Sequence, residues 1–116
     1  MTDETLHIAE VPYESGKLKY VYSRYLAADG SRWVRHGLFR AFHTDGTLKS
    51  EGQYEHGKEN GPWRDFHSNG QLAAEGNYRL GKTHGLWRFW DRDGCEEKTT
   101  LFEDGRDLSQ VDEVPK

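Results

Sequence analysis

The chain has one cysteine, Cys95, so no disulfide can form within it, and it has no apolar run that approaches a membrane span. A lone thiol suits a reducing compartment. The first residues show no signal-peptide pattern, so the expected location is cytoplasmic. Apolar residues are scarce, at 34% of 116 positions, with a mean hydropathy of −1.00. That is little for a domain with two layers around a core. It is enough for one domain made of a single sheet with aromatics lying along it. Catalytic signatures are missing as well. No GxGxxG or GxxxxGK[ST] cradles a phosphate, and no Ser-His-Asp or Cys-His arrangement can be drawn. Neither an enzyme nor a cofactor is expected, and a small-molecule ligand is not implied.

What the chain has instead is glycine and aromatic residues on a common clock. Displaced by 24 residues, Gly37, Gly61 and Gly85 coincide, as do Gly46, Gly70 and Gly94. Gly52 and Gly76 match, with Thr100 as third member. Phe39, Trp63 and Trp87 form one column; Phe42, Phe66 and Trp90 form a second; Tyr54, Tyr78 and Phe102 form a third. Leu48 and Leu72 are followed by Glu96. Such periodicity marks a repeat array. Each unit places Asp-Gly or Asn-Gly between two short aromatic-rich runs, which is the signature of a β-hairpin. No helical periodicity is present. The expected fold is all-β: an elongated, open antiparallel sheet of successive 24-residue hairpins.

The predicted repeats are 37–60, 61–84 and 85–105, within a single domain spanning 1–116. Residues 1–36 read as a degenerate hairpin that caps the array, with its turn at "YESGKL" and a six-residue insertion in "AADGSRWV". Residues 106–116 read as an acidic tail. The net charge of −4 is concentrated at the ends, with four acids and no base in 1–14, and five acids and two bases in 103–116. The middle is only mildly basic, too weakly to imply nucleic acid. Its bases alternate with acids, which disfavours a membrane.

Two hairpin registers are open. A two-residue turn at Asp45-Gly46 pairs residues whose numbers sum to 91, whereas a bulged turn gives 90 and exchanges faces on one strand. The Asp-Gly and Asn-Gly pairs favour the two-residue type I′ turn. Arg40 then faces Glu51 and Arg64 faces Glu75. Phe39 and Trp63 lie over Gly52 and Gly76, where an indole needs a neighbour without a side chain. One face carries Phe39, Trp63, Trp87, Leu48, Leu72, Tyr54, Tyr78 and Phe102. The other carries Arg40, Arg64 and Arg88 beside Phe42, Phe66 and Trp90. Gly37, Gly46, Gly52, Trp63, Gly70, Gly76, Trp87 and Gly94 are read as structural. The arginine face is the candidate partner-binding surface, because arginine and aromatics dominate interface hot spots. It also reads as a cross-strand ion ladder. Arg88 faces Thr99 rather than an acid, which singles out Arg88 and Trp90. The histidine columns, His43 and His67 with Asp91, and His36 and His84 with Asn60, do not make a metal site. Their members are roughly 10 Å apart, too far to share an ion. Cys95, beside a turn glycine, is expected to be inert.

The pattern G-x-W-x-x-F-x-x-[ND]-G-x-L-x-x-E-G-x-Y-x-x-G-K-x-x-G resembles the MORN repeat, in the variant form found in bacterial antitoxin and immunity proteins. "GPWRDFHSNGQLAAEGNYRLGKTHG" fits throughout, and "GLFRAFHTDGTLKSEGQYEHGKENG" has Phe for Trp. "GLWRFWDRDGCEEKTTLFEDG" departs after its turn. The resemblance implies a non-enzymatic binding protein whose partner is a protein, in this variant form a bacterial toxin. The alternative it implies is a scaffold or a membrane- or lipid-associated adaptor.

Overall fold

A computed structural model describes residues 5–108. Residues 1–4 and 109–116, which include most of the tail expected at 106–116, lie outside the described residues. The strands are β1 (His7–Pro12), β2 (Leu18–Leu26), β3 (Trp33–Phe42), β4 (Leu48–Glu55), β5 (Lys58–Glu59), β6 (Gly61–Phe66), β7 (Leu72–Arg79), β8 (Lys82–Trp90), β9 (Glu96–Glu103) and β10 (Arg106–Asp107). They form one antiparallel sheet in the order β1-β2-β3-β4-β6-β7-β8-β9-β10, with β5 beside β4. Chain order and spatial order agree, as expected for an array of hairpins. The radius of gyration is 17.0 Å, against ~13 Å for a compact domain of 100 residues. Arg106 and Asp107, read with the tail, pair instead with Glu103 and Phe102.

The turns correct one expectation. Asp45-Gly46 is not a type I′ turn. Gly46 donates to the His43 carbonyl and His43 to that of Thr47, while only Gly46 has positive φ (94°). This is a type I turn closed by a G1 bulge. It recurs at Gly16, Gly70 and Gly94, whose φ angles are 95°, 91° and 91°. Next to this turn Phe42 pairs with Leu48, a sum of 90; from Ala41 onward the sum is 91, with Arg40 opposite Glu51. A second irregularity between Ala41 and Phe42 makes the change. Both registers therefore occur on one hairpin. The true two-residue I′ turns lie at the other end, at His56-Gly57, Leu80-Gly81 and Asp104-Gly105, where both residues have positive φ.

The core is a row of rings on one face. Phe39, Trp63 and Trp87 are 6%, 8% and 3% exposed although the sheet is a single layer. Each ring is covered by its neighbours. Phe39 stacks on Trp63 at 5.5 Å, and Tyr78 meets Trp63 at 5.2 Å and Trp87 at 5.3 Å, edge to face. Such pairs contribute ~0.5–1.5 kcal/mol each beyond their burial. The glycines make room, but not as the register implied. Trp63 is the strand partner of Gly76, yet it lies on Gly52 of the preceding hairpin, where an added Cβ would run into its six-membered ring. Trp87 covers Gly76 likewise, with its five-membered ring. The third member of this column, Thr100, is buried as the strand partner of Trp87.

The hairpins are also stapled at both ends. The Tyr13 hydroxyl donates to the Phe42 carbonyl at 2.7 Å. His43 and His67 put Nε2 at 2.9 and 2.8 Å from the carbonyls of Phe66 and Trp90. In the third repeat Asp91 accepts from its own turn, from the amides of Asp93 and Cys95. At the opposite end, Gly57, Gly81 and Gly105 donate to the carbonyls of Arg35, Glu59 and Thr83, each at 2.8 Å. His36, Asn60 and His84 accept from the amides of His56, Leu80 and Asp104. Both histidine columns thus join neighbouring hairpins. At the first hairpin Tyr25 pairs with Val34 where Arg79 pairs with Lys82 later, so eight residues intervene instead of two.

Candidate binding surface

The face opposite the rings is built by strand alternation. Arg40, Arg64 and Arg88 follow Phe39, Trp63 and Trp87 by one residue and so point away from them. Cross-strand pairing sets them in one row, Arg40–Glu51–Arg64–Glu75–Arg88–Thr99. Charge alternates along this row over five strands. Arg40 is 3.8 Å from Glu51 and Arg64 is 3.7 Å from Glu75, with 48% and 59% of the two arginine side chains exposed to water. Ion pairs so exposed contribute little to stability.

Arg88 is not without a partner, contrary to the reading of the sequence. It reaches past Thr99 to Glu96, with both carboxylate oxygens at 3.3 Å. This hydrogen-bonded pair holds the Arg88 pKa above its usual value. The two departures of the third repeat therefore compensate each other. Thr99 stands where Glu51 and Glu75 stand, and Glu96 stands where Leu48 and Leu72 stand. The irregularity before Phe42 also corrects the face of those leucines: Leu48 and Leu72 are opposite Phe42 and Phe66, on the arginine side. Phe42, Phe66 and Trp90 are half-buried. The Arg88 guanidinium lies 5.5 Å from the Trp90 ring centre.

A second row on this face was not singled out in the sequence. Leu38, Pro62 and Leu86 sit two residues before the arginines, and Leu101 is the strand partner of Leu86. Leu38, Leu86 and Leu101 are 43%, 54% and 48% exposed. Between this row and the ion ladder lie two shallow depressions of ≈250 and ≈240 Å3. The first is lined by Leu38, Glu51, Pro62 and Arg64, the second by Pro62, Glu75, Leu86 and Arg88. They are one site repeated after 24 residues. The signal was available in the sequence, since an apolar residue recurs at the same phase as the arginines. Gly46, Gly70 and Gly94 hold turns, Gly37 lies inside β3 at φ 96°, and Gly52, Gly76, Trp63 and Trp87 build the other face. None of these eight lies in the arginine row.

Two copies of the unit match the family model described as MORN repeat variant, at residues 35–56 and 59–79. None of the curated proteins matches the chain. Among solved structures, the crystal structure of TarM is similar over 84% of this chain, at 14% identity and a TM-score of 0.38. The matched segment is 21% of the TarM chain.

Proposed function

We propose that this chain, built from MORN-type repeats, is a protein-binding module whose arginine-bearing face docks on a partner, and that the partner is a bacterial toxin which it neutralises in the cytoplasm. The observation that carries the reading is the exposed apolar row of Leu38, Leu86 and Leu101 beside the ladder of Arg40, Arg64 and Arg88. Apolar side chains set among arginines and a half-exposed Trp90 match the make-up of interface centres. The ladder supports docking through its geometry. Its arginines are already held by Glu51, Glu75 and Glu96, so little side-chain freedom is lost on binding. The toxin as partner rests on the resemblance to the antitoxin form of the repeat.

The test is calorimetric titration of the chain and its variants against the product of the neighbouring gene. Leu86→Asp and Trp90→Ala are expected to weaken binding ~30-fold, the equivalent of ~2 kcal/mol, with melting temperatures near that of the parent. Unchanged affinity in both variants would remove this face from the interface.

A further inference from the structure

Two arginines stand outside the ladder, on the ring-bearing face. Arg24 in β2 and Arg35 in β3 are direct cross-strand partners. Such side chains leave the sheet together, with Cβ atoms roughly 5 Å apart, and like charges there repel. Arg40, Arg64, Arg79 and Arg88 each have a carboxylate within 3.8 Å. Among the described residues neither Arg24 nor Arg35 has one. Both lie on aromatic rings instead. The Arg24 guanidinium carbon is 4.1 Å from the Trp33 ring centre. That of Arg35 is 4.5 Å from Tyr22 and 5.4 Å from both Phe39 and Tyr54. Arg35 donates to the Tyr54 hydroxyl at 3.3 Å. Burial disfavours its charge, but hydrogen bonds to the Tyr54 and Tyr22 hydroxyls outweigh this and raise its pKa. The Arg24 Nε–H is buried and makes no hydrogen bond, an arrangement that folded proteins seldom leave standing.

We propose that Arg24 and Arg35 form a subsite for a carboxylate carried by an acidic segment of the protein partner. One carboxylate set between the two cations removes their repulsion and accepts from the outer N–H groups of their guanidinium forks. The planar guanidinium fork matches a carboxylate in geometry. The rings hold both guanidinium groups partly dehydrated and oriented before the anion arrives. A monoanion fits better than a phosphate dianion, because Glu59 lines the same ≈410 Å3 depression as Trp33, Arg35 and Tyr54 and repels the higher charge more. The proposal rests on the protein-binding reading but not on the face assigned there, since this subsite lies on the opposite side of the sheet.

The experiment titrates the 15N-labelled chain with hexaglutamate, hexaglutamine and inorganic phosphate, and follows the Nε–Hε signals of its arginines. Hexaglutamate is expected to shift Arg24 and Arg35 to saturation while Arg40, Arg64 and Arg88 stay in place, and hexaglutamine is expected to shift none. Arg24→Gln is expected to weaken hexaglutamate binding about tenfold, the loss of one charge-assisted hydrogen bond. Arg24→Lys keeps the charge but not the planar fork and is expected to fall between. Equal binding by Arg24→Gln overturns the proposal, as do shifts centred on Arg40, Arg64 and Arg88. Saturation by phosphate at a lower concentration than hexaglutamate overturns the carboxylate assignment. These peptides do not touch the leucine row, so their result and the partner titration of Leu86→Asp can fail separately.

Discussion

Glycine serves two separate purposes here, and substitution distinguishes them. Gly70 sits at φ +91° with nothing within 4 Å of an added Cβ, so alanine there meets only an unfavourable backbone angle. Gly52 has ordinary φ but lies under the Trp63 ring. Gly70→Ala is expected to cost ~1 kcal/mol and Gly52→Ala ~1–3 kcal/mol through overpacking. In a Trp63→Leu background the Gly52→Ala loss should largely vanish, while that of Gly70→Ala should persist. Thermal melts of the single and double variants decide this; equal losses in both backgrounds would mean that the ring does not press on Gly52. Asp45 is a smaller effect at the same scale. Hydrogen bonds from the Thr47 hydroxyl and amide hold its carboxyl below the usual range. A depressed carboxyl stabilises the fold above about pH 4, and this is lost as pH falls through the lower folded value. Thr47→Ala should therefore narrow the difference between melting temperatures at pH 6 and pH 3. A difference that widens would contradict the sign.

Among the elements, the third hairpin shows how a repeat keeps its chemistry while its sequence drifts. Arg88 has exchanged a partner on the adjacent position for one three residues earlier on the same strand, Glu96 for the missing glutamate at Thr99. Glu96→Leu alone should lower the melting temperature, and Thr99→Glu alone should change it little. Together they restore the pattern of the first two repeats and should recover most of the loss. The coupling should shrink in high salt, as exposed ion pairs are screened. Additive effects in this cycle would show that the two positions do not share Arg88. The expected ladder of Arg40, Arg64 and Arg88 was legible because residues at equal phase share a face. The partner of Arg88 was not, because the choice between Glu96 and water depends on side-chain reach across a strand. Arg24 escaped notice because the six-residue insertion breaks its phase with the later repeats, and Arg35 because its column continues as Glu59 and Thr83.

For the whole molecule, each hairpin touches only its neighbours, so stability is close to a sum over units and interfaces. Deleting residues 61–84 removes one full period. It brings Trp87 over Gly52 and the His43 ring to the Trp90 carbonyl, contacts that repeat those already present at Gly76 and at Phe66. The shortened chain is expected to fold, with β-type circular dichroism and a cooperative melt at a lower temperature. Deletion of 12 residues, half a period, should abolish the cooperative melt. If the 24-residue deletion unfolds the chain just as completely, the unit of stability is larger than one repeat.

The sequence by itself determined the period, the hairpins, their consecutive order and which residues form columns. These follow from spacing alone: equivalent positions in a repeat meet equivalent surroundings, and strand alternation carries each column to one face. The tertiary structure decided what spacing leaves nearly balanced. Asp-Gly and Asn-Gly serve equally in a type I′ turn and in a type I turn with a G1 bulge, and packing of each turn against the next hairpin selected the bulge. The I′ turns fell to His56-Gly57 and Leu80-Gly81; Leu80 has little local reason to adopt positive φ, and the first residue of each pair is held there by bonds from the preceding hairpin. A shift of one residue between Ala41 and Phe42, repeated between Asp65 and Phe66, then placed Leu48 and Leu72 on the arginine face. The lean of each indole onto the preceding hairpin decided which glycine must stay bare. Pairing across strands sets neighbours to within one residue, and that last residue is settled only by contacts between hairpins.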